Sequence, residues 1–189
     1  MKYIIEHMDP EMFEWCVVEY RHAADAVGAD NFMVTNVGDQ DVSGLTGIEV
    51  QKEKVDALSL KRVCVLDPEA PDELLPSDSE KYDYLVFGGI LGHFPPQART
   101  RNLVVKGADR RNLGKDQFST DNAVMVAKQV MEGKKLSELK FQKDFVIHIE
   151  EDEDSGMGEE MILPYKYLLI DGKPFISDEI IAYVKKHGF

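Results

Sequence analysis

Cysteine is scarce here: the chain has two, Cys16 and Cys64, each inside an apolar run, EWCVV and RVCVL. With no CxxC or comparable spacing, both read as buried structural thiols. The five histidines (His7, His22, His93, His148 and His187) include no HxxxH arrangement, which excludes a zinc or iron site of the usual kind, and no metal is expected. No apolar run approaches a membrane span, and the opening MKYIIEHMDP lacks the apolar core and cleavage site of a secretory leader. A cytoplasmic protein with no membrane partner is the expectation. Three nucleotide and hydrolase signatures are missing as well. No GxGxxG opens a helix, no GK[ST] follows a glycine loop, and no GxSxG occurs.

Positive charge is also in deficit, 22 Lys and Arg against 35 Asp and Glu, for a net charge of −13. Such a surface repels phosphate backbones and attracts basic partners, or simply aids solubility. One stretch runs the other way. Between His93 and Lys115 lie Arg99, Arg101, Lys106, Arg110, Arg111 and Lys115, opposed by Asp109 alone, so a local nucleic-acid contact stays open.

What is present alternates strands with helices. Residues 2–6 read as a strand. A helix follows from about Pro10 to Val27, with Phe13, Cys16, Val17, Tyr20, Ala24 and Val27 at helical spacing and Gly28 as its stop. A strand over 31–36, a loop over 37–47, a helix near 48–59 and the β-branched strand RVCVL (62–66) come next. YLVFG forms a fourth strand and DRRNLG (109–114) a fifth. Ser119 or Thr120 then caps a helix from Asp121 to about Glu132. This order predicts an α/β fold with a mostly parallel sheet. Beyond Gly133 the pattern changes to two strands, FVIHIE and MILPYKYLLI, a DGKP turn and a helix around Asp178–Lys186. The acidic stretch 150–160 reads as a solvated loop. The chain thus divides into a main domain, 1–133, and a small β/α extension, 134–189.

In an open parallel sheet ligands sit beyond the carboxyl ends of the strands. The residues there are Glu6-His7, Asn36, Asp67-Pro68, Gly88-Gly89 and Leu113-Gly114. The fourth strand's end, in YDYLVFGGILGHFPPQART (82–100), combines glycines with two prolines and leads into a loop. That pattern suits either main chain lining a pocket for a flat ring or plain turn chemistry. For a cationic ligand the relevant acids are Glu6 at its strand end and Glu14 and Glu19 on the next helix, which are five apart and share no face.

Several blocks in order, MKYIIEHM, CVLDPEA (64–70), DYLVFGGILG (83–92), RRNLGKDQFSTDNAV (110–124) and LPYKYLLIDGKP (163–174), resemble one family. It is the SPOUT-superfamily methyltransferases related to the yeast enzyme that methylates an arginine of a small-subunit ribosomal protein. The resemblance implies a trefoil knot near the carboxyl end of the sheet, with S-adenosylmethionine (SAM) held in it by main-chain groups. FGGILG resembles the first knot loop, which makes Phe87, Gly88, Gly89, Ile90 and Gly92 cofactor-binding. RRNLGKDQFSTDNA resembles the second and adds Leu113, Gly114, Gln117, Ser119 and Thr120. An arginine substrate calls for carboxylates, with Glu6 first, then Glu14 and Glu19. One departure is visible: the yeast-type pattern has an acid after FGGILG, where this chain has His93 and Phe94. The implied partner is a basic small-subunit ribosomal protein. The alternative is an RNA methyltransferase using Arg99, Arg101, Arg110 and Arg111, and a third reading is a ribosome-associated binding module without catalysis. Monomer and homodimer both remain open.

Overall fold

The computed structural model describes residues 1–89, 99–149 and 159–188. Its centre is a six-stranded sheet of β1 (Lys2–His7), β2 (Phe32–Thr35), β3 (Glu49–Val50), β4 (Val63–Leu66), β5 (Tyr84–Gly89) and β6 (Asp109–Arg111). The strands lie in the order β3-β2-β1-β5-β4-β6, and every neighbouring pair is parallel. The chain therefore steps outward from β1 to β3, crosses to β4, and returns with β5 between β1 and β4. All the carboxyl ends share one edge of the sheet, with the topological switch point at β1 and β5.

Alternation along the strands assigns each residue to a face. Ile5, Val34, Leu85 and Phe87 pack on one side against α1 (Glu14–Val27) and α2 (Thr120–Met131), through Tyr20, Ala23, Ala24, Val124, Ala127 and Val130. Ile4, Met33, Val65 and Val86 face the other way, onto Val55 and Leu103. Strands buried on both faces explain the near-continuous apolar runs in the sequence.

The remaining chain forms β7 (Phe141–Ile149), β8 (Glu159–Ile170) and β9 (Lys173–Pro174), an antiparallel sheet in the order β7-β8-β9, and then α3 (Asp178–His187). Ile147, Leu163, Tyr165, Tyr167, Ile180 and Val184 close a second core over Trp15 and Val18 of α1.

Four sequence expectations need correction. The first helix begins at Glu14, four residues after Pro10. Met8 N–H still bonds to Gly89 O at 2.9 Å, so the chain stays in the sheet past β1 and uses residues 9–13 to turn back. The helix expected near 48–59 is instead β3 and a single 3₁₀ turn, Val55–Leu58. Gln51 N–H bonds to Val34 O at 2.8 Å, so pairing with β2 overrides local helix propensity. β7 begins four residues earlier than expected, because a bulge with Asp144 at φ 57° hides the alternation between Lys143 and Phe145. Glu159 and Glu160, read as loop, belong to β8, while 150–158 lie outside the described residues.

Candidate active site

Glu6 and His7 end β1 side by side and point to opposite faces. Glu6 is 4% exposed and accepts a hydrogen bond at 2.8 Å from the Val55 amide on its Oε2. Burial pushes its carboxyl above the ordinary value, against the Val55 bond and the Lys54 charge, which pull it down; Asp56 adds to the rise. In the sheet Glu6 stands between Thr35 on β2 and Gly88 on β5. Its β5 neighbour, Gly88, carries no side chain.

His7 is fully buried toward α1 and shares a hydrogen bond of 2.9 Å, through Nδ1, with the Tyr20 hydroxyl. Burial lowers its pKa, and Asp9, the Glu11 main chain and Gln40 oppose the shift. Its sheet partner is Gly89, where a Cβ would overlap the Tyr20 hydroxyl and stand 2.6 Å from Ile5 Cγ2. Gly89 thus admits Tyr20 on the face of His7. Asn36, in a left-handed conformation at φ 62°, ties β2 to this end by donating to His7 O at 2.6 Å.

The three carboxylates named from the sequence are not brought together. Glu14 is exposed on α1. Glu19 is buried on the α1 side of the sheet, opposite Glu6. Burial first, and then the Asp121 carboxylate, push it up to about 8, while bonds from Trp15 and Thr120 oppose them. Asp121 itself accepts from Ser119 Oγ at 2.6 Å and from the Asn122 amide at 2.8 Å, and lies 2.7 Å from Nδ1 of His22. His22 in turn stacks on Phe175 with ring centroids 4.1 Å apart. Sequence inspection missed this network, because its members lie on α1, α2 and the segment after β9. The pair Asp121-Asn122 directly after the Ser-Thr cap was the visible hint.

The cofactor-binding set divides in the same way. Phe87 is a core residue, while Ile90 and Gly92, together with His93 and Phe94, lie outside the described residues. Leu113 is buried, and Gly114 has φ 96° with nothing within 4 Å of where a Cβ would stand. The loop is fastened at its start by Asn112, which bonds to Asp72 O, Ala70 O and the Leu74 amide. Ser119 and Thr120 are buried, and their hydroxyls serve Asp121 and Glu19. Of the expected loop residues, Gly114 has open space beside it, Leu113 packs into the core with Phe87, and Ser119 and Thr120 have only main chain to offer. Ser119 is the N-cap of α2, but its side chain bonds to Asp121 rather than to the helix backbone.

Gly114, with open space where a Cβ would stand, leaves room for close approach of a ligand to the main chain of this loop. The neighbouring basic residues are engaged internally. Arg110 bonds to Asp67 and to Leu103 O, both at 2.6 Å; Arg111 bonds to Asp78 at 3.1 Å and lies over the Tyr82 ring; Arg101 pairs with Glu69. The Arg99 side chain lies outside the described residues. Three of the four arginines offered for RNA are thus paired with carboxylates, which weakens their claim on phosphates. No cluster of three or more metal-ligating side chains occurs among the described residues.

Known proteins with this pattern exist. The family described as protein arginine N-methyltransferase SFM1-like matches residues 2–188. The chain is 31% identical over 208 residues to the protein arginine N-methyltransferase SFM1 of Saccharomyces cerevisiae, covering 98% of this chain and 95% of that one. The crystal structure of yeast arginine methyltransferase SFM1 complexed with SAM matches at a TM-score of 0.83 and 29% identity, over 99% of this chain and 91% of that one. A dual-specific Trm10 from Thermococcus kodakaraensis, 15% identical over 73% of this chain and 96% of that one, shares the fold at a TM-score of 0.53. The chain therefore shares its fold with solved methyltransferase structures and belongs to the SFM1-like protein arginine N-methyltransferase family.

Proposed function

We propose that this chain, a SAM-dependent methyltransferase by its family, methylates an arginine in a basic protein of the small ribosomal subunit in the cytoplasm. The observation that carries the arginine reading is Glu6, a buried carboxylate at the switch point of the sheet with a glycine beside it. When bound, SAM supplies an electrophilic methyl group on a sulfonium sulfur. The loops after β5 and β6 would hold it through main chain and through Leu113, Gly114 and Gln117. The strand order, with β5 returning between β1 and β4, supports threading of these loops as a trefoil knot, on which residues 134–189 pack as an extension.

Arginine is a difficult nucleophile because its guanidinium stays charged at ordinary pH. A carboxylate beside it orients one nitrogen through charge-assisted hydrogen bonds and accepts the proton released as the N–C bond forms. Glu6 suits that task. The Val55 amide fixes one oxygen, and burial makes the carboxylate a stronger proton acceptor. The acidic surface, net −13, favours approach of a basic substrate.

The test is to incubate the chain with methyl-labelled SAM and ribosomes of its host, then separate protein from RNA. Label in a small-subunit protein, on arginine by mass spectrometry and lost in Glu6→Gln, is the expected result. Label confined to RNA would overturn it.

A further inference from the structure

Residues 113–120 are pinned from outside their own domain. The Lys166 amide, in the middle of β8, donates to Gln117 O at 2.8 Å and forms a parallel bridge with Phe118. The side chain of the same residue returns to the loop. Its Nζ lies 3.3 Å from Asp116 Oδ2, and Lys143 on β7 stands 3.5 Å from the other oxygen. Lys166 Nζ also sits over two rings, 4.2 Å from the Phe141 centroid and 5.4 Å from that of Phe118. Two residues along β8, the Leu168 amide donates to Asn122 Oδ1 at 2.9 Å, and Asn122 Nδ2 reaches Phe175 O at 2.8 Å. With Asn112 fixing the start of the loop, Leu113–Lys115 is the short stretch between two anchored ends.

We propose that β8 is the seat of the cofactor loop and that Lys166 is a positioning residue that sets affinity for SAM. This rests on the assignment of residues 113–120 to the cofactor. Lys166 acts through the loop: its ammonium neutralises Asp116, and the two aromatic faces hold it in place. Without it the loop must be ordered at the moment of binding, and that entropy is subtracted from affinity. The role explains why a hairpin outside the main sheet carries the LPYKYLLIDGKP block: β8 joins the extension to the binding loop rather than merely covering α1.

The experiment is calorimetric titration of the full chain with SAM, alongside thermal melting and turnover at saturating SAM. Lys166→Met keeps an apolar stem between the two rings and removes the charge. It should raise the Kd for SAM about tenfold, leave kcat at saturating SAM unchanged, and shift the melting temperature by less than about 3 °C. Lys166→Arg should restore the affinity. Asp116→Asn, on a half-exposed loop residue, should reproduce the loss and add little to Lys166→Met, and it carries the test if that variant folds poorly. Gly114→Ala, inside the loop, serves as the reference. Loss of affinity there with none in Lys166→Met and Asp116→Asn overturns the role of Lys166 and leaves the cofactor assignment standing. Unchanged affinity in all three overturns the assignment and the seat together. A fall in kcat at saturating SAM with unchanged Kd also overturns the proposal.

Discussion

Glu6 and Glu19 are both buried acids whose pKa is raised first of all by burial, yet their surroundings differ in kind. Glu6 stands at a strand end with one main-chain donor and a glycine for a neighbour. Glu19 sits inside a helix interface, held by Trp15 and Thr120 and pressed by Asp121. A perturbed acid is therefore not by itself a catalytic acid. A strand-end carboxylate at the switch point of the sheet is placed to meet a substrate. A helical carboxylate saturated by its own protein is placed to join elements, here α1 to the start of α2.

Four substitutions sharpen or break that contrast. The largest effect is expected for Glu6→Gln, which keeps an acceptor for the Val55 amide and removes the charge. Turnover should fall about 10²–10⁴-fold, with SAM affinity and melting temperature close to those of the unaltered chain. Wild-type turnover would move Glu6 into the same structural class as Glu19. Next is Gly89→Ala, whose Cβ meets Tyr20 and Ile5. Chemical denaturation should show a loss of about 3 kcal/mol, partly recovered in combination with Tyr20→Phe, which removes the overlapped hydroxyl. Additive losses in the double variant would mean that Tyr20 does not require that glycine.

Glu19 gives a pH signature. Its folded pKa, pushed up to about 8, lies above the ordinary glutamate value of 4.5, so between these values the folded state holds a proton that the unfolded chain has released. Stability therefore falls as pH rises through that window and levels off above it. Glu19→Gln should lack this component and gain about 2 kcal/mol on the unaltered chain between pH 5 and 8, read from denaturation midpoints at each pH. Parallel pH profiles would remove Glu19 as the source. The smallest effect belongs to Glu14→Gln. For an exposed helical side chain, stability should stay within about 0.5 kcal/mol and labelling of the substrate should not change. A large loss of labelling would bring Glu14 back as a substrate contact.

Much of this molecule was legible in one dimension. The parallel sheet could be read from apolar runs ended by Gly88-Gly89 and Asp67-Pro68, because strand alternation and turn chemistry are local. The ordered blocks, from MKYIIEHM to LPYKYLLIDGKP, were enough to point to the family. Local rules failed where a distant partner intervened. Pro10 did not begin a helix because Met8 was still bonded to Gly89, and 48–59 did not form one because Gln51 paired with Val34.

By its own pattern, then, the sequence determined the kind of sheet and the Gly88-Gly89 and Asp67-Pro68 pairs that close two of its strands. Tertiary structure alone decided that Glu6 and Glu19 part company across the sheet, that Arg101, Arg110 and Arg111 are spent on Glu69, Asp67 and Asp78, and that Lys166 reaches back to Asp116 and Gln117. The physical reason is common to all three. Each depends on groups far apart in the chain, whose pairing follows from how faces pack and not from any neighbour in sequence.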